Sequence, residues 1–543
     1  MLSSQRRPGL FQSILAFFAA SSILGINASY DLQPDDSSNV KSIAKDMAAD
    51  MMQFYAEVMN PGVPGDLKPP YYWWEAGALM GILIDYWKLT GDETYNQNAT
   101  DGLVHQTGKY NDYMPDNQTL TEGNDDQGFW GMSVLSAAEL EFAPAPNKPG
   151  WLALAQAIFN TQAARWDTEH CNGGLRWQIF TWNNGYDYKN TISQGTFFNM
   201  AARLALYTGN TSYSDWAEKT YEWVVEKNYI DNDYNVYDGA YISDGCTALT
   251  PYQWTYNNGV FMHGAAAMYN LTGSDVWKSR LDGLIKGAEV FFRGDDNNIM
   301  TEVACETVDR CNYDQQSFKA YLTRWMASVT KWAPYTASTI KPYLRATSLA
   351  AAKQCLGGSS GRLCGLKWYT GAYDNTSGLG MQMAALEAVM TNLIDEQPDF
   401  LTAKTGGTSQ GDASAGGEDI NSDGKTHKKA SLGSKVGAGV LTAFVLGCLL
   451  AGIVWMLKEE STNLMDVITG SAIGNAAGGA SLGSLFKKGD SKTAMQEVYT
   501  METKVPSPQP SMNPVMTAQQ PLRPEATAIP AHRTAHPSGQ ESV

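Results

Sequence analysis

Hydrophobic positions recur between residues 30 and 400 with the spacing of helices. Ala76, Leu79, Met80, Leu83 and Trp87 fall at i, i+3, i+4, i+7 and i+11, one face of a helix that turns every 3.6 residues. A longer pattern is written three times. Trp74-Glu75-Ala76-Gly77-Ala78-Leu79-Met80-Gly81 runs on to Thr90-Gly91, Gln194-Gly195-Thr196-Phe197-Phe198-Asn199-Met200-Ala201-Ala202 to Thr208-Gly209, and Asn257-Asn258-Gly259-Val260-Phe261-Met262 to Thr272-Gly273. Each copy opens on polar or glycine-rich residues, passes through small side chains, stops at Thr-Gly, and restarts with Tyr95, Tyr213 or Trp277 near the head of a second helix. Glycine suits the left-handed residue past a helix end, so Thr-Gly is a stop signal with a physical cause. The repeated unit is a helical hairpin. Further inner helices are predicted near Asp126, Ser317 and Leu379, about six in all.

Hairpins of this kind either stack into an open solenoid or close into a ring. A solenoid keeps a tight period, whereas the Thr-Gly marks at Gly91, Gly209 and Gly273 are very unevenly spaced. The expected fold is therefore all-α, an (α/α)6 toroid of helical hairpins. Closure points the polar starts of the inner helices at one shared cavity, which is where chemistry is expected.

The flanks read differently. Arg6 and Arg7 precede an apolar run, Leu10 to Ile26, that ends in small residues near Ala28, the layout of a secretory signal peptide over residues 1–28, with a retained anchor as the other reading. Residues 29–400 hold the folded domain, and 401–435 read as a flexible Gly/Ser/Thr/Asp/Lys linker. Val436 to Leu457 is 22 residues without a charge, long enough for a C-terminal transmembrane helix. Residues 458–543 drift into a proline-rich, disordered cytoplasmic tail. A glycosylphosphatidylinositol signal is excluded for the apolar stretch, because such a tail ends the chain and 86 residues follow. The expected topology is single-pass at the cell surface or in an endomembrane, with the folded domain outside or lumenal. Lys425, Lys428, Lys429 and Lys435 on the outer flank run against the positive-inside tendency, which an N-terminal signal overrides.

Composition narrows the partners. The 543 residues carry a formal net charge of −17, of which about −19 falls on residues 29–401, so nucleic acid is a poor partner. Aromatic residues make up 11% of the chain against 17% charged, which fits a folded domain that binds a neutral, flat-faced ligand; a monomer is expected. Cys171, Cys246, Cys305, Cys311, Cys355 and Cys364 give an even number in the exported region. The close pairs 305/311 and 355/364 each suit a short staple, leaving 171 with 246, one of 15 possible connectivities. Sequons for N-glycosylation stand at Asn98, Asn117, Asn210, Asn270 and Asn375. The six histidines never approach ligand spacing, and no metal or cofactor is expected. Two pattern matches in the linker are discounted. Gly407-Thr408-Ser409-Gln410-Gly411 lacks the strand and helix of a nucleophile elbow, and the calcium-loop match from Asp419 has Ala430 where a bidentate Glu is needed.

The carboxylates at the head of the second inner helix, in Glu122-Gly123-Asn124-Asp125-Asp126-Gln127-Gly128-Phe129-Trp130, have two readings. Acids in a first turn are favoured by the helix dipole and Asn or Asp by capping. The catalytic reading has Asp125 and Asp126 flanking a sugar linkage, one held protonated because two like charges so close do not both ionise. A retaining glycosidase needs its two carboxyls close together, a gap of about 5 Å that neighbouring side chains can span.

Tyr72-Trp73-Trp74-Glu75-Ala76-Gly77, Asp125-Asp126-Gln127-Gly128-Phe129-Trp130, Cys171-Asn172-Gly173-Gly174-Leu175-Arg176-Trp177 with Tyr188-Lys189-Asn190-Thr191-Ile192-Ser193, and Trp254-Thr255-Tyr256-Asn257-Asn258-Gly259 together resemble glycoside hydrolase family 76 over residues 30 to 395. Within it, the chain is similar to the fungal mannan endo-1,6-α-mannosidases. The resemblance implies an (α/α)6 barrel and retaining chemistry, with Asp125 as nucleophile and Asp126 as acid/base. It also implies a substrate with α-1,6-linked mannose, either mannan or the core glycan of a glycosylphosphatidylinositol anchor. Transfer of anchored proteins to the cell wall would make the reaction a transglycosylation. Trp74 and Trp130 are the rings expected to stack on mannose, and Glu75, Gln194, Asn257 and Asn258 the side chains expected to bind its hydroxyls; packing and capping are the competing roles for each. A wall-binding sensor without catalysis is the alternative from another class.

Overall fold

The computed structural model describes residues 30–118, 121–416, 442 and 446–451. The expected signal peptide, most of the apolar stretch 436–457 and the tail 458–543 lie outside the described residues. Among the described residues, no helix is long and apolar enough to cross a membrane.

Among the described residues, twelve α-helices build the body: α1 (Ser37–Val58), α2 (Trp73–Thr90), α3 (Asn96–His105), α4 (Asn124–Glu139), α5 (Trp151–Ala164), α6 (Thr191–Thr208), α7 (Thr211–Glu226), α8 (Thr255–Thr272), α9 (Asp275–Gly287), α10 (Phe318–Trp332), α11 (Ala337–Lys353) and α12 (Leu379–Met390). The even-numbered helices form the inner ring, each packed on the next, and α12 packs back on α2 to close it. Each odd-numbered helix from α3 to α11 follows its inner partner on the outside, while α1 covers α12. The burial pattern follows from this layering. In α6, 17 of 18 residues are buried, whereas α7 buries only Tyr213, Ala217, Thr220, Tyr221, Trp223 and Val224, a single stripe.

Small residues in the inner helices are where neighbours meet. A β-carbon on Gly128 of α4 would stand 2.3 Å from Thr196 of α6, and one on Gly195 of α6 would stand 2.2 Å from Val260 of α8. The Thr-Gly stops also act as read: Gly91, Gly209 and Gly273 cap α2, α6 and α8 with φ of 77°, 71° and 64°.

Ion pairs cross the ring inside the barrel. Arg203 of α6 meets Glu139 of α4 at 2.6 Å, with both side chains almost fully buried, and Arg324 of α10 meets Asp85 of α2 at 2.5 Å. Removing one member strands the other in a low-dielectric interior. Arg203→Leu is therefore expected to lower the unfolding free energy by about 3–5 kcal/mol in chemical denaturation. Arg345→Ala, which removes only the exposed pair with Asp35, is expected to leave the midpoint unchanged.

The loops leading from each outer helix to the next inner helix gather at the amino-terminal end of the ring. Three short antiparallel pairs order them: β1 (Tyr188–Asn190) with β2 (Gly239–Tyr241), β3 (Phe292–Arg293) with β4 (Ile299–Met300), and β5 (Cys355–Gly357) with β6 (Leu363–Cys364). Disulfides Cys171–Cys246, Cys305–Cys311 and Cys355–Cys364 staple the same loops. The asparagines of all five sequons are exposed, although Asn270 donates its amide N–H to the Trp332 carbonyl.

One expectation is corrected. Residues 401–416, the described part of the expected linker, are a strap bound to the barrel. Leu401 N–H donates to the Glu139 carbonyl and Ala403 N–H to that of Leu206. Further on, Asn160 Nδ2 donates to the carbonyls of Ala413 and Ala415. Ser409 Oγ accepts from Leu152 N–H at 2.9 Å, a cap for α5 supplied from elsewhere because its own N-cap is Gly150. The strap needs few apolar residues because hydrogen bonds, most of them to its own backbone, hold it to the barrel.

Candidate active site

Asp125 and Asp126 open α4 at the amino-terminal end of the ring. The helix starts there because Gly123 is extended at its N-cap and Asp126 Oδ2 accepts the Gly123 N–H at 2.7 Å, half of a capping box. Capping and catalysis are thus not exclusive roles for this residue. Asn124 locks the start to the neighbouring loop: its N–H donates to the Trp177 carbonyl, its Nδ2 to the Arg176 carbonyl, and its Oδ1 accepts from Arg165 Nε.

The two carboxylates converge over Gly123. A β-carbon there would lie 2.3 Å from Asp125 Oδ1 and 3.2 Å from Asp126 Oδ2, and the two oxygens can be no farther apart than these two distances laid end to end. This upper limit on one pair of oxygens is compatible with the roughly 5 Å carboxyl separation of retaining enzymes.

Their environments differ. Asp125 is buried; its Oδ2 accepts from Asn190 Nδ2 at 2.7 Å and its Oδ1 from the Asp126 N–H at 3.0 Å. Asp126 is more open, with the single donor from Gly123. Burial, and then the neighbouring Asp126 charge, push the Asp125 carboxyl well above the usual range. Burial also raises Asp126 to about 7, with the Gly123 donor opposing and Asp314 adding to the rise. Two like charges this close do not both ionise easily. Two donors on Asp125 favour the anion there, leaving the proton on Asp126.

Asp126 binds its proton more tightly folded than unfolded, so its contribution to stability is full below about pH 4 and is lost as pH rises through 7. Asp126→Asn is expected to melt above wild type at pH 8 and level with it at pH 4, by differential scanning calorimetry.

A third carboxyl belongs to the site. Asp314, in the loop before α10, accepts the Trp74 indole N–H at 3.0 Å and is raised to about 7 by burial, with the Trp74 bond opposing and the Asp125 charge adding. Its signal in the sequence was its place just ahead of an inner helix. Asn190 was missed in the same way: it ends β1, caps α6 through Oδ1 to the Ser193 N–H, and turns its amide to Asp125. Rings pack around this end of the barrel, with Trp74 on Phe129 at 4.5 Å between centroids and Tyr256 stacked on Phe318 at 3.9 Å.

The remaining expected residues divide. Trp74 is buried, donates its indole N–H to Asp314 and packs on Phe129, Phe318 and Tyr321. Glu75 is fully buried behind it, accepts the Tyr72 N–H, and is pushed well up by burial and by Asp314. Asn257 is buried with neither amide atom hydrogen-bonded among the described residues. Trp130 is corrected to a core ring, 0% exposed, between Trp73 and Tyr113; a ring without surface offers no face to a sugar. Gln194 is corrected to a clamp whose amide is satisfied by the backbone of Leu175 and Asn190. Asn258 is buried, donates Nδ2 to the Leu284 carbonyl of α9, and has no hydrogen bond to Oδ1 among the described residues.

The model of glycosyl hydrolase family 76 matches residues 39–404. The chain belongs to this family. It is 45% identical over 430 residues to the mannan endo-1,6-alpha-mannosidase DCW1 of Saccharomyces cerevisiae, covering 79% of this chain and 95% of that one. It is 42% identical to the mannan endo-1,6-alpha-mannosidase DFG5 of the same yeast, covering 82% and 96%. Among solved structures, Dfg5 from Chaetomium thermophilum in complex with glucosamine superposes with a TM-score of 0.68 at 45% identity, over 71% of this chain and 97% of that one. An α-1,6-mannanase of Salegentibacter sp., inactivated at two aspartates and bound to α-1,6-mannotriose, superposes at 0.52 with 19% identity, over 65% and 99%. This last likeness shows the shared fold. The family 76 chain is thus a glycoside hydrolase with a closed helical ring.

Proposed function

We propose that this family 76 hydrolase is a retaining, endo-acting α-1,6-mannosidase that works in fungal cell-wall biogenesis. The observation that carries the reading is the convergence of Asp125 Oδ1 and Asp126 Oδ2 over Gly123, at 2.3 and 3.2 Å from where its β-carbon would stand, in a chain whose yeast relatives are named for this activity. Asp126 gives its proton to the leaving glycosidic oxygen as an Asp125 oxygen attacks the anomeric carbon. The carbon–oxygen bond to the leaving sugar breaks, and a mannosyl ester forms on Asp125. Asp126, now the base, takes a proton from water or from an acceptor hydroxyl, whose oxygen displaces Asp125 and regenerates the pair. Asn190 positions Asp125 and supports its anion.

The substrate is α-1,6-mannan or the mannose core of a glycosylphosphatidylinositol glycan. The apolar runs at 10–26 and 436–457 support export and a single membrane tether, with the domain outside or lumenal.

The test is to incubate the full chain with linear α-1,6-mannan and follow the products. Internal fragments are expected from the start of the reaction. Mannose alone, released from chain ends, would contradict endo action, and no turnover would sink the substrate. Adding an acceptor sugar separates the two fates of the intermediate, because a transfer product that grows as hydrolysis falls marks a transglycosidase.

A further inference from the structure

The exposed aromatic rings of the barrel are concentrated on one face. Among the described residues, Tyr110, Trp182, Tyr241, Tyr252, Tyr313 and Tyr335 are the exposed ones, and all but Tyr335 sit on loops leading into inner helices, at the end that carries Asp125. Trp182 is the most open, at 58%. It lies nearly flat on Phe180, with centroids 4.9 Å apart and planes 15° apart, and Phe180 itself is buried. One indole face is therefore backed and the other is free.

The loop beneath this platform is braced against the catalytic helix. Gly123 bridges to Gln178, Ile179 N–H donates to the Glu122 carbonyl, and Asn124 N–H donates to that of Trp177. Turns from Phe180 to Asn183 and from Asn183 to Tyr186 fold it. Arg176 then holds the far side, with its guanidinium 4.2 Å from the Tyr186 ring and a hydrogen bond to the Tyr186 carbonyl. Trp182 is four residues from Gln178, so their Cα atoms are at most about 14 Å apart, a short run of linked hexoses from the carboxyl pair.

A single backed ring is far too small for a protein interface, which takes about 800 Å² from each partner. It suits the apolar face of one pyranose, with the polar Thr181, Asn183 and Asn184 beside it. We propose that Trp182 is an outlying sugar subsite that stacks on a mannosyl residue of the same glycan chain held at Asp125 and Asp126. The choice of mannose rests on the proposed function; the subsite rests on the ring and its loop.

The test uses the full chain with Asp125→Asn, which binds without turnover, titrated calorimetrically with α-1,6-mannooligosaccharides of increasing length. Trp182→Ala is expected to weaken the longer oligosaccharides about five- to tenfold, to leave mannobiose unchanged, and to be largely rescued by Trp182→Tyr. With Asp125 intact, Trp182→Ala is expected to raise KM on long mannan at constant kcat. Equal affinities with and without the indole at every length would overturn the subsite, as would an equal loss for short and long chains. Unchanged mannan turnover in Trp182→Ala overturns the subsite and leaves the proposed reaction standing. Wild-type inactivity combined with indole-dependent binding of long chains does the reverse.

Discussion

Asp125→Asn is expected to lower kcat on α-1,6-mannan by on the order of 10⁴-fold, with the barrel intact. An amide in that position still accepts the Asp126 N–H, so the helix start is preserved. On the proposed mechanism it loses the charged oxygen that attacks the anomeric carbon and the ester that splits one difficult step into two. Asp126→Asn removes a different function. It still caps Gly123 but has no proton for the leaving oxygen, a loss of about 10²–10⁴-fold. That loss should shrink for an aryl mannoside, whose leaving group needs little protonation, whereas the Asp125→Asn loss should not. Steady-state kinetics on mannan and an aryl mannoside check both. Equal turnover by wild type and Asp125→Asn would remove the nucleophile assignment.

Gly123→Ala is expected to cost about 10²-fold in kcat while moving the melting temperature little. The backbone at Gly123, with φ −100° and ψ 163°, is one that alanine adopts freely. The obstacle is space: the added carbon would sit 2.3 Å from Asp125 Oδ1, 3.2 Å from Asp126 Oδ2 and 3.1 Å from the Trp177 carbonyl. Asp125 Oδ1 has to move by about 1 Å to reach ordinary contact, and reacting groups misplaced by that much lose about two orders of magnitude. A variant with wild-type kcat would mean that the two carboxylates do not meet over this glycine.

Much of the ring was legible because its signals are local. Thr-Gly ends three inner helices through left-handed glycines, and small residues mark where those helices touch. Helices α4, α10 and α12 end without such a glycine, and their starts were found only by likeness to the others. What sequence periodicity could not decide was the direction of each side chain. An inner helix is buried on nearly all sides, so Trp74, bonded to Asp314, and Trp130, packed between Trp73 and Tyr113, carry the same hydrophobic signature. Gln194 reads as a sugar ligand because it is polar at a helix head, yet the backbone of Leu175 and Asn190 satisfies its amide, while Asn258 spends its Nδ2 on the Leu284 carbonyl. Asp314 lies 240 residues from the Trp74 indole it accepts from, a contact only ring closure creates. The strap at 401–416 read as a free linker because its hold on the barrel lies in hydrogen bonds, most of them to its own backbone, which composition does not register.

The most direct test is the anomeric configuration of the first product released from an α-1,6-mannooligosaccharide, followed by proton nuclear magnetic resonance before mutarotation. Asp125 as nucleophile and Asp126 as acid/base, their oxygens converging over Gly123, require the α anomer to appear first. A β anomer as first product would show that water attacks directly and would contradict the covalent role of Asp125.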